Sequence, residues 1–187
     1  MSKKKETIVI NIIGGPGVGK SILTSEVFAA LKREGVSCEI SAEYIKKKLR
    51  EKALKAVESQ IYIFAKQQYQ LFTLKDEVDV IVTDSPIFFS TVYDKTKCPM
   101  LKALIMKEFH KYQTLNYLIA RDETVPYEQE GRYQDADGAK KVDAQMIKFL
   151  DEENIDYKQM FGIGHKTLKV IVADVLAKLK ENESKEA

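Results

Sequence analysis

The sequence predicts an α/β protein in which a five-stranded parallel sheet is covered by helices on both faces. Three observations carry this reading. Strand-like and helix-like segments alternate along the chain, and a crossover through a helix returns the next strand parallel to the last. The first strand run, TIVINII, is β-branched and apolar without alternation, as in a strand buried on both faces. A glycine-rich octapeptide, GGPGVGKS at Gly14–Ser21, follows that run directly and opens the first helical pattern.

The elements follow in order. Thr7–Ile13 is the first strand, and Lys20–Glu34 has helical spacing through Leu23, Val27, Ala30 and Leu31 until Gly35 stops it. Val36–Ser41 is a second, short strand, and helical stretches are expected over 42–57 and 58–77. A third strand, Asp79–Thr83 in VDVIVTDSP, is closed by Pro86. Met100–Tyr112 reads as a helix and Leu115–Ala120 as a fourth strand. The polar segment 121–138, with Pro126, Gly131 and Gly138, exceeds an ordinary connection and is expected to be a functional lid. Helix Ala139–Glu152, strand Asp156–Phe161 and helix Lys166–Lys180 complete one domain, with 1–6 and 181–187 expected to be flexible tails.

Composition narrows the setting. At 187 residues, 44% hydrophobic and 31% charged, the chain suits a single globular core. A net charge of +2 does not mark a nucleic-acid binder, and the clusters Lys3–Lys5 and Lys46–Lys48 with Arg50 are first read as solvated faces. The apolar run near the N-terminus is short, contains Asn11 and ends in glycines, so it is expected to be a buried strand rather than a secretion signal. No run is long enough to span a membrane. Cys38 and Cys98 fit no metal or redox spacing and suggest a reducing, cytoplasmic compartment.

Gly14–Ser21 satisfies G-x-x-x-x-G-K-[ST], the phosphate-binding loop, with a strand before it and a helix after it. Gly14, Gly15, Gly17 and Gly19, with Pro16 and Val18 between them, let the backbone turn and present its N–H groups to phosphate oxygens. Lys20 supplies a cation to the β- and γ-phosphates, Ser21 a hydroxyl to Mg²⁺, and Thr24 is counted with the nucleotide-binding residues. Such a loop takes a nucleotide with magnesium, and the absence of a base-reading Asn-Lys-x-Asp makes ATP the expected one. Asp84 ends the third strand at the sheet edge where ligands bind, and reads as the carboxylate facing the metal beside Ser21. Its bland alternative is a cap for the Ser85–Pro86 turn. Glu43, after the second strand, either activates an acceptor hydroxyl or binds magnesium through water, unless it only serves the first turn of a helix.

Together GGPGVGKS, AEY, the Gln-rich helix SQIYIFAKQQYQLFTL, VTDSP, and LIAR followed by YEQEGRYQD carry a wider likeness. The chain resembles the P-loop kinase-like ATPase family that includes the nicotinamide riboside kinase domain. Within it the chain is most similar to bacteriophage 5-hydroxymethyl-deoxyuridine DNA kinases and phage AAA-family ATPases. The likeness runs from Thr7 to about Phe161. It implies a three-layer P-loop NTPase fold with strand order 2-3-1-4-5, and ATP and Mg²⁺ as cofactors. It implies that Glu43 and Asp84 divide the roles of base and metal carboxylate, in an order left open, and that Arg121 and Arg132 are lid arginines on the transferred phosphoryl group. It further implies an acceptor site at Glu43 and Tyr44 and on the helix bearing Gln60, Gln67 and Tyr69, with adenine near Phe161–Gly162. The implied acceptor is a nucleoside-like hydroxyl, foremost 5-hydroxymethyluracil in phage DNA. The alternatives are a kinase for small nucleosides, nucleotides or nicotinamide riboside, and a nucleotide-switched ATPase or binding module without an acceptor.

Overall fold

The computed structural model describes residues 6–122 and 135–186. In chain order the elements are β1 (Ile8–Ile13), α1 (Lys20–Arg33), β2 (Cys38–Ser41), α2 (Tyr44–Arg50), α3 (Leu54–Glu58), α4 (Gln60–Leu74) and β3 (Val80–Thr83). They continue with α5 (Phe89–Tyr93), α6 (Pro99–Phe109), β4 (Gln113–Ala120), α7 (Ala136–Glu152), β5 (Lys158–Phe161) and α8 (His165–Glu186). The strands form one five-stranded sheet in the order β2-β3-β1-β4-β5, as expected. Every pairing is parallel, with Ile10 opposite Val82 on one side of β1 and Leu115 on the other.

β1 shows why an unalternating apolar run belongs in the centre. All six of its residues are buried. Ile8, Ile10 and Ile12 join Leu23, Val27 and Leu31 of α1 and Ile171 and Val175 of α8 in one core. Val9 and Ile13 face the other way, with Phe64, Phe88, Ile105 and Met146 from α4 to α7 and their connections. Each fully buried aliphatic side chain contributes roughly 1.5–3 kcal/mol, so both faces bind helices strongly. The polar Asn11 is buried in this strand because its side-chain amide donates to Asn116 Oδ1 of β4 at 2.8 Å, and the Asn116 amide in turn donates to the Asp156 carbonyl.

Several boundaries differ from the sequence reading. The expected helix over 42–57 is two short helices, α2 and α3, broken where Lys52 turns left-handed at φ 54°. The Lys52 and Ala53 N–H groups then close the end of α2 on the Leu49 and Lys48 carbonyls. Neither helix has a buried residue, so no core stripe existed to mark them. α5 was not anticipated, because five residues are too few to show a period. Phe89 N–H bonds to the Pro86 carbonyl, and burial of Phe88, Phe89 and Val92 holds the turn. α7 starts at Ala136 rather than Ala139, since the Asp135 carboxylate accepts the Gly138 N–H at 2.7 Å as an N-cap. Residues 135–138 therefore belong to a helix end and not to the expected lid, most of which lies outside the described residues. α8 continues to Glu186, past the Lys180 boundary and through most of the segment read as a tail. Among the described residues no helix is long and apolar enough to cross a membrane.

Candidate active site

Because all five strands run parallel, the residues leaving them gather at one edge. Gly14 leaves β1, Glu43 follows β2, Asp84 follows β3, Arg121 follows β4 and Gly162 follows β5. The phosphate loop lies at the centre of this edge. Gly19 takes a left-handed φ of 84° and opens α1, its carbonyl accepting the Ile22 and Leu23 N–H groups. A Cβ at Gly19 would stand 2.6 Å from Ile163 Cδ1, so the loop after β5 closes directly on the glycine turn. Lys20 folds back and donates to the Gly15 carbonyl at 2.8 Å. Burial depresses its pKa to about 8, against the pull of Glu43 and Asp84 toward the charged form. Thr24, grouped with this loop from sequence, is buried in α1 and its hydroxyl makes no hydrogen bond among the described residues.

Ser21 and Asp84 do meet. The Ser21 hydroxyl donates to Asp84 Oδ2 at 2.7 Å, across the neighbouring strands β1 and β3. Asp84 is buried, so its carboxylate is held rather than free to sample solvent. The Lys46 ammonium rests against the same pair, 2.6 Å from Ser21 Oγ and 3.1 Å from Asp84 Oδ2, and reaches Glu43 Oε2 at 2.8 Å. Burial opposes that charge, but Glu43 and Asp84 prevail and hold the Lys46 pKa above its ordinary value. A hydroxyl and a buried carboxylate converging on one cation are hard oxygen donors of the kind magnesium uses, with phosphate oxygens and water completing its shell. The residues therefore fit a magnesium ion held by Ser21 and Asp84. Among the described residues no cluster of three or more His, Cys, Asp or Glu offers an all-protein metal cage.

A cavity of about 400 Å³ opens beside this cluster. Lys20, Ser21, Glu43 and Lys46 form its polar end, and Ile45, Leu49 and Val57 of the α2–α3 segment face Phe89 and Tyr93 of α5. Gln60 lines it, buried and with its amide donating to the Val57 carbonyl at 3.1 Å. Gln67 shares that helical face but serves as a strut. It donates to Ser41 Oγ at 3.0 Å and the Ala42 carbonyl at 3.4 Å, and accepts the Tyr44 N–H at 3.3 Å. Its amide thus fixes the β2–α2 junction that carries Glu43. Tyr44 turns its hydroxyl to Tyr62 at 2.6 Å, which pushes its pKa up, and does not line the cavity. Tyr69, expected in the acceptor site, stands about 200° round α4 from Gln67, is 61% exposed and does not line the cavity. Phe161 is 81% exposed at the end of β5.

Arg121, expected to be a lid arginine, is bonded to the phosphate loop and to α7. Its Nε donates to Asp143 Oδ2 at 2.6 Å and a terminal nitrogen donates to the Pro16 carbonyl at 2.8 Å. Asp143 Oδ1 in turn accepts the Gly15 N–H at 2.7 Å. The pair braces the phosphate loop from beneath, and Asp143, on α7, had no sequence signal to distinguish it from a solvent-facing helix residue. Lys46 was visible only as part of a lysine cluster, and Phe89 and Tyr93 only as residues of an unassigned stretch. Arg132 lies outside the described residues.

The AAA-domain family profile matches residues 9–163, from β1 to the loop after β5. The chain belongs to that family. No curated protein sequence matches the chain at a significant level. Among solved structures, this AAA-domain protein is similar to the NadR protein in complex with NR, with a TM-score of 0.65 and 15% identity, over 88% of this chain and 50% of that one. It thus spans half the length of NadR. It is also similar to thymidylate kinase from Ehrlichia chaffeensis, with a TM-score of 0.61 and 12% identity, over 91% of this chain and 99% of the kinase. At these identities the likeness establishes a shared P-loop kinase-like fold.

Proposed function

We propose that this AAA-domain protein is an ATP- and magnesium-dependent kinase that transfers the γ-phosphoryl group to a hydroxyl of a nucleoside-like acceptor. The observation that carries the reading is the cavity lined both by Lys20, Ser21 and Glu43 and by the aromatic residues Phe89 and Tyr93. A hydrolase or switch needs the phosphate loop but not an apolar chamber beside it. The volume is that of a pocket for one small ligand. A thymidylate kinase and the NadR protein in complex with NR, both of similar fold, support the same class.

In this reading the loop N–H groups and Lys20 hold the triphosphate, and the acceptor hydroxyl oxygen attacks the γ-phosphorus in line. The new P–O bond forms as the bond to the β–γ bridging oxygen breaks, and ADP leaves with that electron pair. Glu43 lines the cavity and takes the hydroxyl proton, whereas Asp84, bonded to Ser21, is the metal carboxylate. Bound magnesium would offset charge on the β- and γ-phosphate oxygens. Gln60 offers an amide to a base edge, while Phe89 and Tyr93 supply rings for its faces.

For the acceptor itself, the sequence likeness favours a hydroxymethyl-pyrimidine in DNA. A chamber of this size would take a single base flipped from the duplex. A free nucleoside or nucleotide fits the same chamber without that step. Labelled γ-phosphate transfer to DNA containing 5-hydroxymethyluracil, plain DNA, deoxynucleoside monophosphates, nucleosides and nicotinamide riboside decides between them. Label in the modified DNA alone establishes a DNA-base kinase, and label in a small acceptor a salvage-type enzyme. Label only in inorganic phosphate overturns the kinase reading.

A further inference from the structure

Lys46 is a half-exposed lysine whose ammonium reaches into the phosphate-loop cluster. Its ammonium contacts Ser21 Oγ, Asp84 Oδ2 and Glu43 Oε2, at 2.6, 3.1 and 2.8 Å, and so touches both groups that fit a magnesium ion. We propose that Lys46 is the exchangeable cation of the metal site: its ammonium neutralises Glu43 and Asp84 when no divalent ion is bound, and is displaced when one enters. The proposal rests on the reading of Ser21 and Asp84 as metal ligands and goes beyond it by assigning Lys46 as the cation that competes with the metal for them.

The physical case has three parts. Asp84 is a buried carboxylate, and a buried charge without a partner is costly, so the nucleotide-free protein needs a cation there. Lys46 can leave cheaply, because its side chain is 45% exposed and α2 has no buried residue to be disturbed. It cannot stay when a divalent ion arrives, since two cations cannot share the same carboxylate and hydroxyl oxygens without strong repulsion. Lys46 also lines the acceptor cavity.

The test is Mn²⁺ binding to the whole protein without nucleotide, read by electron paramagnetic resonance. Lys46→Met is expected to bind Mn²⁺ about tenfold or more tightly than the unaltered protein, because the competing charge is gone. Lys46→Gln, which keeps polarity and much of the length, should behave like Lys46→Met, and Lys46→Arg like the unaltered protein. Lys47→Met, at an exposed neighbouring position, should leave Mn²⁺ affinity unchanged. If Lys46→Met and Lys46→Gln bind no more tightly, or Lys47→Met gains as much, the exchange is overturned. Asp84→Asn separates the two levels. If it retains full Mn²⁺ affinity, the metal-site reading itself fails; if it loses affinity while Lys46→Met shows no gain, only the exchange fails.

Discussion

Lys20 has a pKa near 8 because burial outweighs its two neighbouring carboxylates. The folded value lies below the unfolded one, so the unfolded chain binds more protons between about 8 and 10.5 and the stability contribution of Lys20 rises with pH across that window. Triphosphate binding is expected to restore the charge, because an adjacent anion favours the ammonium form. Calorimetry in buffers of different ionisation enthalpy should show proton uptake on ATP binding near pH 8, and Lys20→Met should show none. Lys20→Ala should abolish transfer with an unchanged circular dichroism spectrum; retained transfer would sink the phosphate-loop mechanism. Asp84→Asn should lower kcat by about 100-fold or more, the scale of losing a group that organises charge in the transition state. The same scale applies to Gly15, where a Cβ would lie 2.3 Å from Asp143 Oδ1 and 2.9 Å from the Ala139 carbonyl. Gly15→Ala should weaken ATP binding, and adding Asp143→Ala should cost less than the sum of the two, by about 0.5–3 kcal/mol in a double-mutant cycle. Full additivity would mean that Asp143 does not brace the loop.

Short helices set the acceptor side. α2 and α3 bury nothing in the core, so their place depends on polar ties such as those from Gln67 to Ser41, Ala42 and Tyr44. Gln67→Leu keeps most of the volume but strands those groups, which should cost about 1–3 kcal/mol in urea denaturation. It should also lower kcat, by loosening Glu43, while leaving ATP affinity near that of the unaltered protein. An equal loss in ATP affinity would show that the strut supports the loop instead. The helical spacing of α1 and α7 was plain in the sequence because each presents an apolar stripe to the sheet. The break that divides α2 from α3, and α5 altogether, were not legible, since helices of five to seven residues are stabilised by what surrounds them.

At the scale of the molecule, the parallel sheet places the ends of β1, β2 and β3 together, so ligand binding at their common edge ties all three to one event. A nonhydrolysable ATP analogue with Mg²⁺ should raise the melting temperature in proportion to the logarithm of ligand concentration, and Lys20→Ala should remove most of that rise. Phe88 tests the opposite face of the sheet. It is fully buried and packs on Phe89, Phe109 and Phe149, so Phe88→Ala should destabilise the fold by about 3–5 kcal/mol. Because Phe89 forms part of the cavity wall, that variant should also raise the acceptor KM more than the ATP KM.

The sequence by itself determined the parallel sheet and the phosphate loop, because these depend on local pattern: an apolar strand, eight residues of fixed backbone demand, and a helix behind them. The strand order was implied by the family likeness alone. It also singled out Asp84, since a carboxylate leaving a buried strand is placed by chain order alone. The tertiary structure decided everything that needs two distant segments to meet. Asp143 reaches Gly15 across 128 positions, Arg121 turns beneath the loop to Pro16, and Lys46 crosses to Asp84 from a different strand end. Gln67 and Tyr69 sit two residues apart on one helix, yet one is buried in the site's support and the other faces solvent. Spacing shows which residues share a helix face. Only packing decides which face meets the site.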